Sequence, residues 1–228
     1  MISEIPRYND KMISTQLLAP AAYMHNTRSP YVWWLATWMW NIDLALRLMG
    51  TYYFAPTNEM DIAAGYNDCR DGAPFQEMCM INTFLIAGFN SQEVNRTMLP
   101  VIHGHSPAGA SAMNMLHYAQ IVRSWQFRRY DHGILNMARY GQITPPLYRF
   151  NTHTAPISFY HSTNDWLASP ADVELLFNMM GRSTRVQLLY RVPQTAFNHM
   201  DFVWAINVRS LLYNRVVQEM ARWQAING

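Results

Sequence analysis

The sequence predicts an α/β fold: a few parallel strands with flanking helices, interrupted by a large helical insertion. Three observations carry this. Between Ala155 and Trp204 the chain reads strand, Asp, helix, strand, His. Each polar residue follows the carboxyl end of a strand, where open parallel sheets place their chemistry. A further strand candidate, Gln16 to Ala22, stands alone near the start. Between them, residues 24–150 carry helical patterns and no convincing strand, and that is too long for a loop. The chain therefore divides into a core strand within 1–23, a helical cap insertion over 24–150, and a second core portion over 151–228.

Composition narrows the class. At 228 residues, half of them hydrophobic, a sizeable core is available. Only 14% are charged, against about a quarter in ordinary domains, so the chain either buries an unusual share of itself or presents an apolar surface. A net charge of +2, with no basic cluster longer than Arg128-Arg129, gives no electrostatic footprint for nucleic acid. Glu4, Pro6 and Arg7 interrupt any leader-like apolar stretch, so no signal peptide is expected. The most apolar segment, Tyr31 to Met49, is broken by Asn41, Asp43 and Arg47, short of the roughly 18 unbroken apolar residues of a membrane span.

In chain order, the first strand ends in the turn around Pro20. Helical patterns follow over Val32 to Met49, Ala73 to Gly88 and Ala110 to Ser124. In the last of these, Ala112, Met115, Leu116, Ala119 and Val122 keep helical spacing. Trp33, Trp34, Trp38 and Trp40 are expected first as core packing of a cap helix. The sharper alternative is a lipid-contacting face, since Trp suits a half-wet boundary. The strand Pro156 to Tyr160 spills into the turn Ser162-Thr163-Asn164-Asp165. Ser169-Pro170-Ala171-Asp172 then opens a helix with a Ser N-cap, Pro at the first helical position and an acid shortly after. Val173, Leu176, Phe177 and Met180 form its buried stripe, and Gly181 stops it. A strand over Val186 to Tyr190 leads to the loop Asn198-His199-Met200-Asp201. The spacing Trp204, Val208, Leu212, Val216, Met220 predicts a final helix.

Asp165 after one strand and His199 after the next match the back half of a triad in the order Ser, Asp, His. The His takes the proton of a serine hydroxyl, and the Asp fixes its tautomer and stabilises the imidazolium. The plain alternative is a surface turn residue and a satisfied loop histidine. Gly104-His105-Ser106-Pro107-Ala108-Gly109 imitates a nucleophile elbow, but Pro107 has no N–H to serve as oxyanion donor. Losing one such donor costs about 10²–10³ in rate, so Ser106 is not expected to be the nucleophile. His103 and His105 would share a face of an extended segment, yet no third ligand stands at recognisable spacing. No metal and no other cofactor is expected. Cys69 and Cys79, ten apart, are by spacing either a disulfide or two free thiols. Asn95-Arg96-Thr97 is a glycosylation sequon.

Several motifs together resemble the acid lipases of the gastric and lysosomal type. They are Asn164-Asp165-Trp166-Leu167-Ala168 with Pro170-Ala171-Asp172-Val173, and Phe197-Asn198-His199-Met200-Asp201-Phe202-Val203-Trp204-Ala205. Others are His105-Ser106-Pro107-Ala108-Gly109-Ala110-Ser111, Tyr130-Asp131-His132-Gly133 and Pro145-Pro146-Leu147-Tyr148. Tyr8-Asn9-Asp10-Lys11 and Leu18-Ala19-Pro20-Ala21-Ala22 extend the resemblance almost end to end. It implies a partial α/β-hydrolase, its last three parallel strands with a helical cap, in a family that cleaves acyl esters of glycerol or sterols. Asp165 and His199 then fall on the family's catalytic acid and base. The family's nucleophile sits in a Gly-His-Ser-Gln-Gly elbow upstream of the segment matching Tyr8-Asn9-Asp10-Lys11. The resemblance thus puts the nucleophilic Ser and the oxyanion loop outside this chain.

As given, the chain is expected to be an inactive portion of a lipase. The alternative is a non-catalytic, lipase-like lipid-binding protein. The partners implied are a lipid ester substrate or lipid interface, and the missing N-terminal half of the same domain. The resemblance also favours a Cys69–Cys79 disulfide, and with the Asn95 sequon it implies a secreted or lysosomal protein.

Overall fold

The computed structural model describes residues 4–51, 53–54, 58–150, 152–181 and 186–227. In chain order the elements are β1 (Thr15–Leu18), α1 (Pro30–Leu48), β2 (Tyr53–Phe54), α2 (Glu59–Cys69), α3 (Gln76–Ala87), α4 (Leu99–His105), β3 (Ala110–Ser111) and α5 (Ala112–Ser124). There follow α6 (Asn136–Tyr140), β4 (Ile157–His161), α7 (Pro170–Gly181), β5 (Val186–Arg191), α8 (Asp201–Trp204) and α9 (Asn214–Asn227).

β4 is the centre of a three-stranded parallel sheet of order β1-β4-β5. Leu18 pairs with Tyr160 on one side, and His161 with Arg191 on the other. A strand covered on both faces has no polar side to show, and all five residues of β4 are buried. Phe159 and Tyr160 join Val173, Leu176, Val192, Phe197 and Leu212 in the principal core. Ser169 caps α7 as expected: its hydroxyl accepts from the Asp172 N–H at 3.3 Å and donates to the Asp172 carboxylate at 3.1 Å. This is the sheet of part of an α/β-hydrolase with its flanking helices.

β1 ends at Leu18, earlier than the expected Ala22. Ala19 takes a left-handed φ of 47°, and Pro20 after it cannot donate to a ladder. Between the neighbouring strands β1 and β4 lie α1 to α6. Val32, Leu35, Ala36 and Met39 of α1 pack with Leu116, Ala119 and Val122 of α5 in a second core. The expectation of no strand here needs correction, because β2 and β3 form a short antiparallel pair.

A larger correction concerns the tryptophans. Trp33, Trp34, Trp38 and Trp40 are 44%, 53%, 51% and 56% exposed, so they are not core. Positions 32, 35, 36 and 39 already fill the buried stripe of α1, and the tryptophans take the other faces.

The final helix is also not continuous from Trp204. α8 stops there, Ala205 is extended, and a π-type turn over Arg209–Tyr213 precedes α9. The cause is Glu93, buried 114 residues upstream of Asn207. Its backbone carbonyl accepts from the Ile206 N–H, and its carboxylate accepts from the Asn207 N–H at 2.9 Å. Those donors are thereby drawn out of a helical ladder. Leu212 and Val216 remain buried, whereas Met220 is exposed.

Cys69 at the end of α2 and Cys79 in α3 form a disulfide. Asn95 is exposed at the head of a 3-10 turn, Arg96–Met98.

Candidate active site

The two turns beyond β4 and β5 bring Asp165 and His199 together. Asp165 is fully buried. Its Oδ1 accepts from the N–H groups of Leu167 and Ala168, both at 2.8 Å, which folds the chain into an Asx-type turn and aims the other oxygen away. That oxygen, Oδ2, lies 2.8 Å from His199 Nδ1. A carboxylate can only accept, so Nδ1 is the protonated nitrogen and Nε2 carries the lone pair. The imidazole is 24% exposed, and Nε2 has no hydrogen bond among the described residues. This arrangement is a base held in one tautomer with its basic nitrogen free to take a proton.

The loop carrying His199 is tied by its own neighbours. Asn198 Oδ1 accepts from the N–H groups of Met200 at 2.8 Å and Asp201 at 3.0 Å. Asp201 Oδ2 in turn accepts from the Asn198 N–H at 2.7 Å. Asp201 is buried, and that burial pushes its pKa up to about 6 against the pull of the Asn198 N–H and the Asn90 amide. In the sequence Asn198 and Asp201 stand only as neighbours of His199 within its motif. An Asx residue on either side of a loop His is the signal that could have found this tie. His161, at the end of β4, was missed altogether. It is buried, its Nδ1 has no hydrogen bond among the described residues, and desolvation lowers its pKa.

The structure does not join the remaining candidates to this pair. Ser106 follows the last residue of α4, so a helix leads into it, whereas an elbow needs a strand leading in. His103 and His105 lie on α4, not on an extended segment, and residues two apart on a helix point about 200° apart. The shared face they would have on an extended segment is therefore not formed. His103 does lie close to the sulfurs of Cys69 and Cys79, within 4.8 Å. Those sulfurs are bonded to each other, so they offer no thiolate to a metal.

No family model matches the chain. Among curated proteins it is 34% identical to Lipase 3 of Drosophila melanogaster over 225 residues, covering 98% of this chain and 56% of that protein. It is 31% identical to gastric triacylglycerol lipase of Rattus norvegicus over 220 residues, 95% of this chain and 53% of the relative. It is 30% identical to lysosomal acid lipase/cholesteryl ester hydrolase of Macaca fascicularis over 185 residues, 80% and 45% respectively. The chain thus spans about half the length of the curated relatives it matches. With the strand order, the paired loops of Asp165 and His199 and these identities in agreement, the chain belongs to the family of gastric and lysosomal acid lipases.

Proposed function

We propose that this chain supplies the acid and the base, Asp165 and His199, of a serine-hydrolase site that cleaves carboxylic esters of lipids. The observation that carries the reading is the 2.8 Å contact from Asp165 Oδ2 to His199 Nδ1, with no hydrogen bond to Nε2 among the described residues. In the complete site, Nε2 takes the proton of a serine hydroxyl as its oxygen attacks the ester carbonyl. The imidazolium then gives that proton to the departing alcohol, while Asp165 stays ionised and stabilises the cation. Water repeats the sequence on the acyl-enzyme and releases the fatty acid. The nucleophile comes from outside these 228 residues, because Ser106 sits at a helix end before a proline. The relatives' names point to triacylglycerols and steryl esters as the substrate class.

Residues 24–150 form the cap of this site, and the exposed tryptophans of α1 are its contact with the lipid surface. The disulfide and the exposed Asn95 sequon support passage through an oxidising, secreted or lysosomal route. The tryptophan face also favours a second reading, a lipid-binding protein without turnover.

One experiment separates the two. The gene is read in frame upstream of Met1 for a Gly-His-Ser-Gln-Gly segment, and the protein that includes it is assayed on short-chain p-nitrophenyl esters. Turnover that falls by several orders of magnitude in His199→Ala supports the lipase. Turnover by the 228 residues alone that is abolished by Ser106→Ala sinks this assignment of the nucleophile. Vesicle binding without turnover by the extended protein favours the second reading.

A further inference from the structure

The hydrogen bond between Asp165 and His199 joins two side chains, but it does not set the distance between the loops that carry them. Two direct bonds between the loops contribute to it: Thr163 Oγ1 donates to the Thr195 carbonyl at 2.9 Å and Asn164 Nδ2 to the Ala196 carbonyl at 2.8 Å. A third segment ties both loops together. Ala87 to Asn90, leaving the end of α3, crosses both loops, and each of its four residues is bonded to one or both. The Ala87 carbonyl accepts from the N–H of Trp166 at 3.1 Å and from the N–H of His199 itself at 3.3 Å. The Gly88 carbonyl accepts from Asn198 Nδ2 at 2.8 Å. The Phe89 carbonyl accepts from Asn164 Nδ2, also at 2.8 Å. Asn90 Nδ2 donates to Asp201 Oδ2 at 2.7 Å, between two buried side chains.

The residues on both sides of Asp165, namely Asn164 and Trp166, therefore end on this strap. So do the His199 backbone and its neighbours Asn198 and Asp201. Gly88 shows how close the approach is. Its φ is +112°, and a Cβ there would meet the Asn164 carbonyl oxygen below any real contact distance and Trp166 Cδ1 at 3.0 Å. Only glycine fits without moving the acid loop. The edge of Trp166 meets Phe89, ring centres 5.4 Å apart, which closes the same junction with apolar contact.

We propose that the strap Ala87–Asn90 is a positioning element for the hydrolytic pair. It fixes the spacing of the acid and base loops, with Gly88 and Asn90 the residues on which that spacing depends. This rests on the reading of Asp165 and His199 as acid and base. Catalytic geometry is lost over about 1 Å, at a cost of about 10²-fold in rate, so a small shift of either loop should register in turnover.

The test uses the full-length, nucleophile-bearing protein, with kcat and KM on a soluble p-nitrophenyl ester and the thermal midpoint measured together. Gly88→Ala should lower kcat by about 10²-fold with KM within about twofold of the parent. Asn90→Ala should lower kcat by about tenfold, again at constant KM. Asp201→Ala should behave like Asn90→Ala, while Asp201→Asn, which keeps an oxygen to accept both bonds, should restore kcat. A purely structural role would leave kcat intact in the folded variants and move only the midpoint. If Gly88→Ala does not fold, Asn90→Ala and the Asp201 pair decide. Folded strap variants with parental kcat, beside an inactive His199→Ala, overturn the strap alone. An active His199→Ala overturns the reading of the base, and the strap with it.

Discussion

His199 Nδ1 and Asp165 Oδ2 lie 2.8 Å apart across 34 residues of sequence, and the Leu167 and Ala168 N–H groups hold the carboxylate from behind. That geometry makes a specific demand on the atom facing the imidazole. In Asp165→Asn, the amide that replaces Oδ2 can donate to Nδ1, so the ring proton moves to Nε2 and the base is lost. The expected result in the nucleophile-bearing protein is a fall in kcat of about 10⁴-fold with the fold intact, the size known for the same change in a serine protease. The change is read as kcat alongside an unchanged circular dichroism spectrum. A kcat within tenfold of the parent would remove Asp165 from the mechanism.

Asp201 makes stability depend on pH in a direction opposite to that of most carboxylates. Burial raises its pKa to about 6 from an ordinary 3.8, with the Glu93 carboxylate adding to the rise. Between those values the folded protein binds more protons than the unfolded chain. Stability from this group is therefore fully present below about 4 and is lost as pH rises through about 6. The two hydrogen bonds to the carboxylate are already balanced within that rise, whose size corresponds to on the order of 3 kcal/mol. Other carboxylates titrate in the same range, so the measurement is a difference. Urea midpoints of the parent and of Asp201→Asn at pH 4.5 and 7.5 should converge toward acid and separate toward neutral, with the parent the less stable at pH 7.5.

The Cys69–Cys79 bond closes a short loop between α2 and α3. In the chain-entropy account a loop of about ten residues contributes about 2–3 kcal/mol. Cys69→Ser with Cys79→Ser should therefore lower the unfolding midpoint by several degrees while leaving kcat on a soluble ester within about twofold. The α3 segment runs from this bond to the strap at Ala87. A large loss of kcat at constant fold would mean that the disulfide, too, sets the geometry of the two loops.

What was legible in the chain is what is local. Strand, turn, Ser cap and apolar stripe follow one another from Pro156 to Met180, and the structure follows them nearly residue for residue, while the residues beyond the expected stop at Gly181 lie outside the described ones. Whatever depends on distant partners was not legible. The continuation of one helix past Trp204 fails because Glu93 captures the backbone at 206 and 207. The strap reaches its partners across 75, 110 and 111 residues, and no periodicity signals such contacts. The tryptophans misled for a different reason. A helix as apolar as α1 has two faces that look like core, and only its packing on α5 says which one is.

That exposed face sets the last prediction. Trp34 and Trp38 are four apart on α1 and more than half exposed, with Trp33, Trp40, Leu44 and Leu48 also open to solvent. Apolar surface of this extent is either covered by a partner or used at an interface, and indole favours the boundary between water and lipid. Trp34→Ser with Trp38→Ser removes about 300–500 Å² of aromatic surface yet touches neither buried core residue Leu35 nor Met39. Partition of the nucleophile-bearing protein onto vesicles or triacylglycerol droplets should fall by at least tenfold, since even half of that burial is worth more than 1.4 kcal/mol. Turnover of a dissolved short-chain ester should stay within about twofold, because the chemistry is carried by loops elsewhere. Flotation with vesicles and the soluble assay read the two effects separately. If both activities fall together and the midpoint drops, the tryptophans are packing residues whose cover lies on another part of the protein.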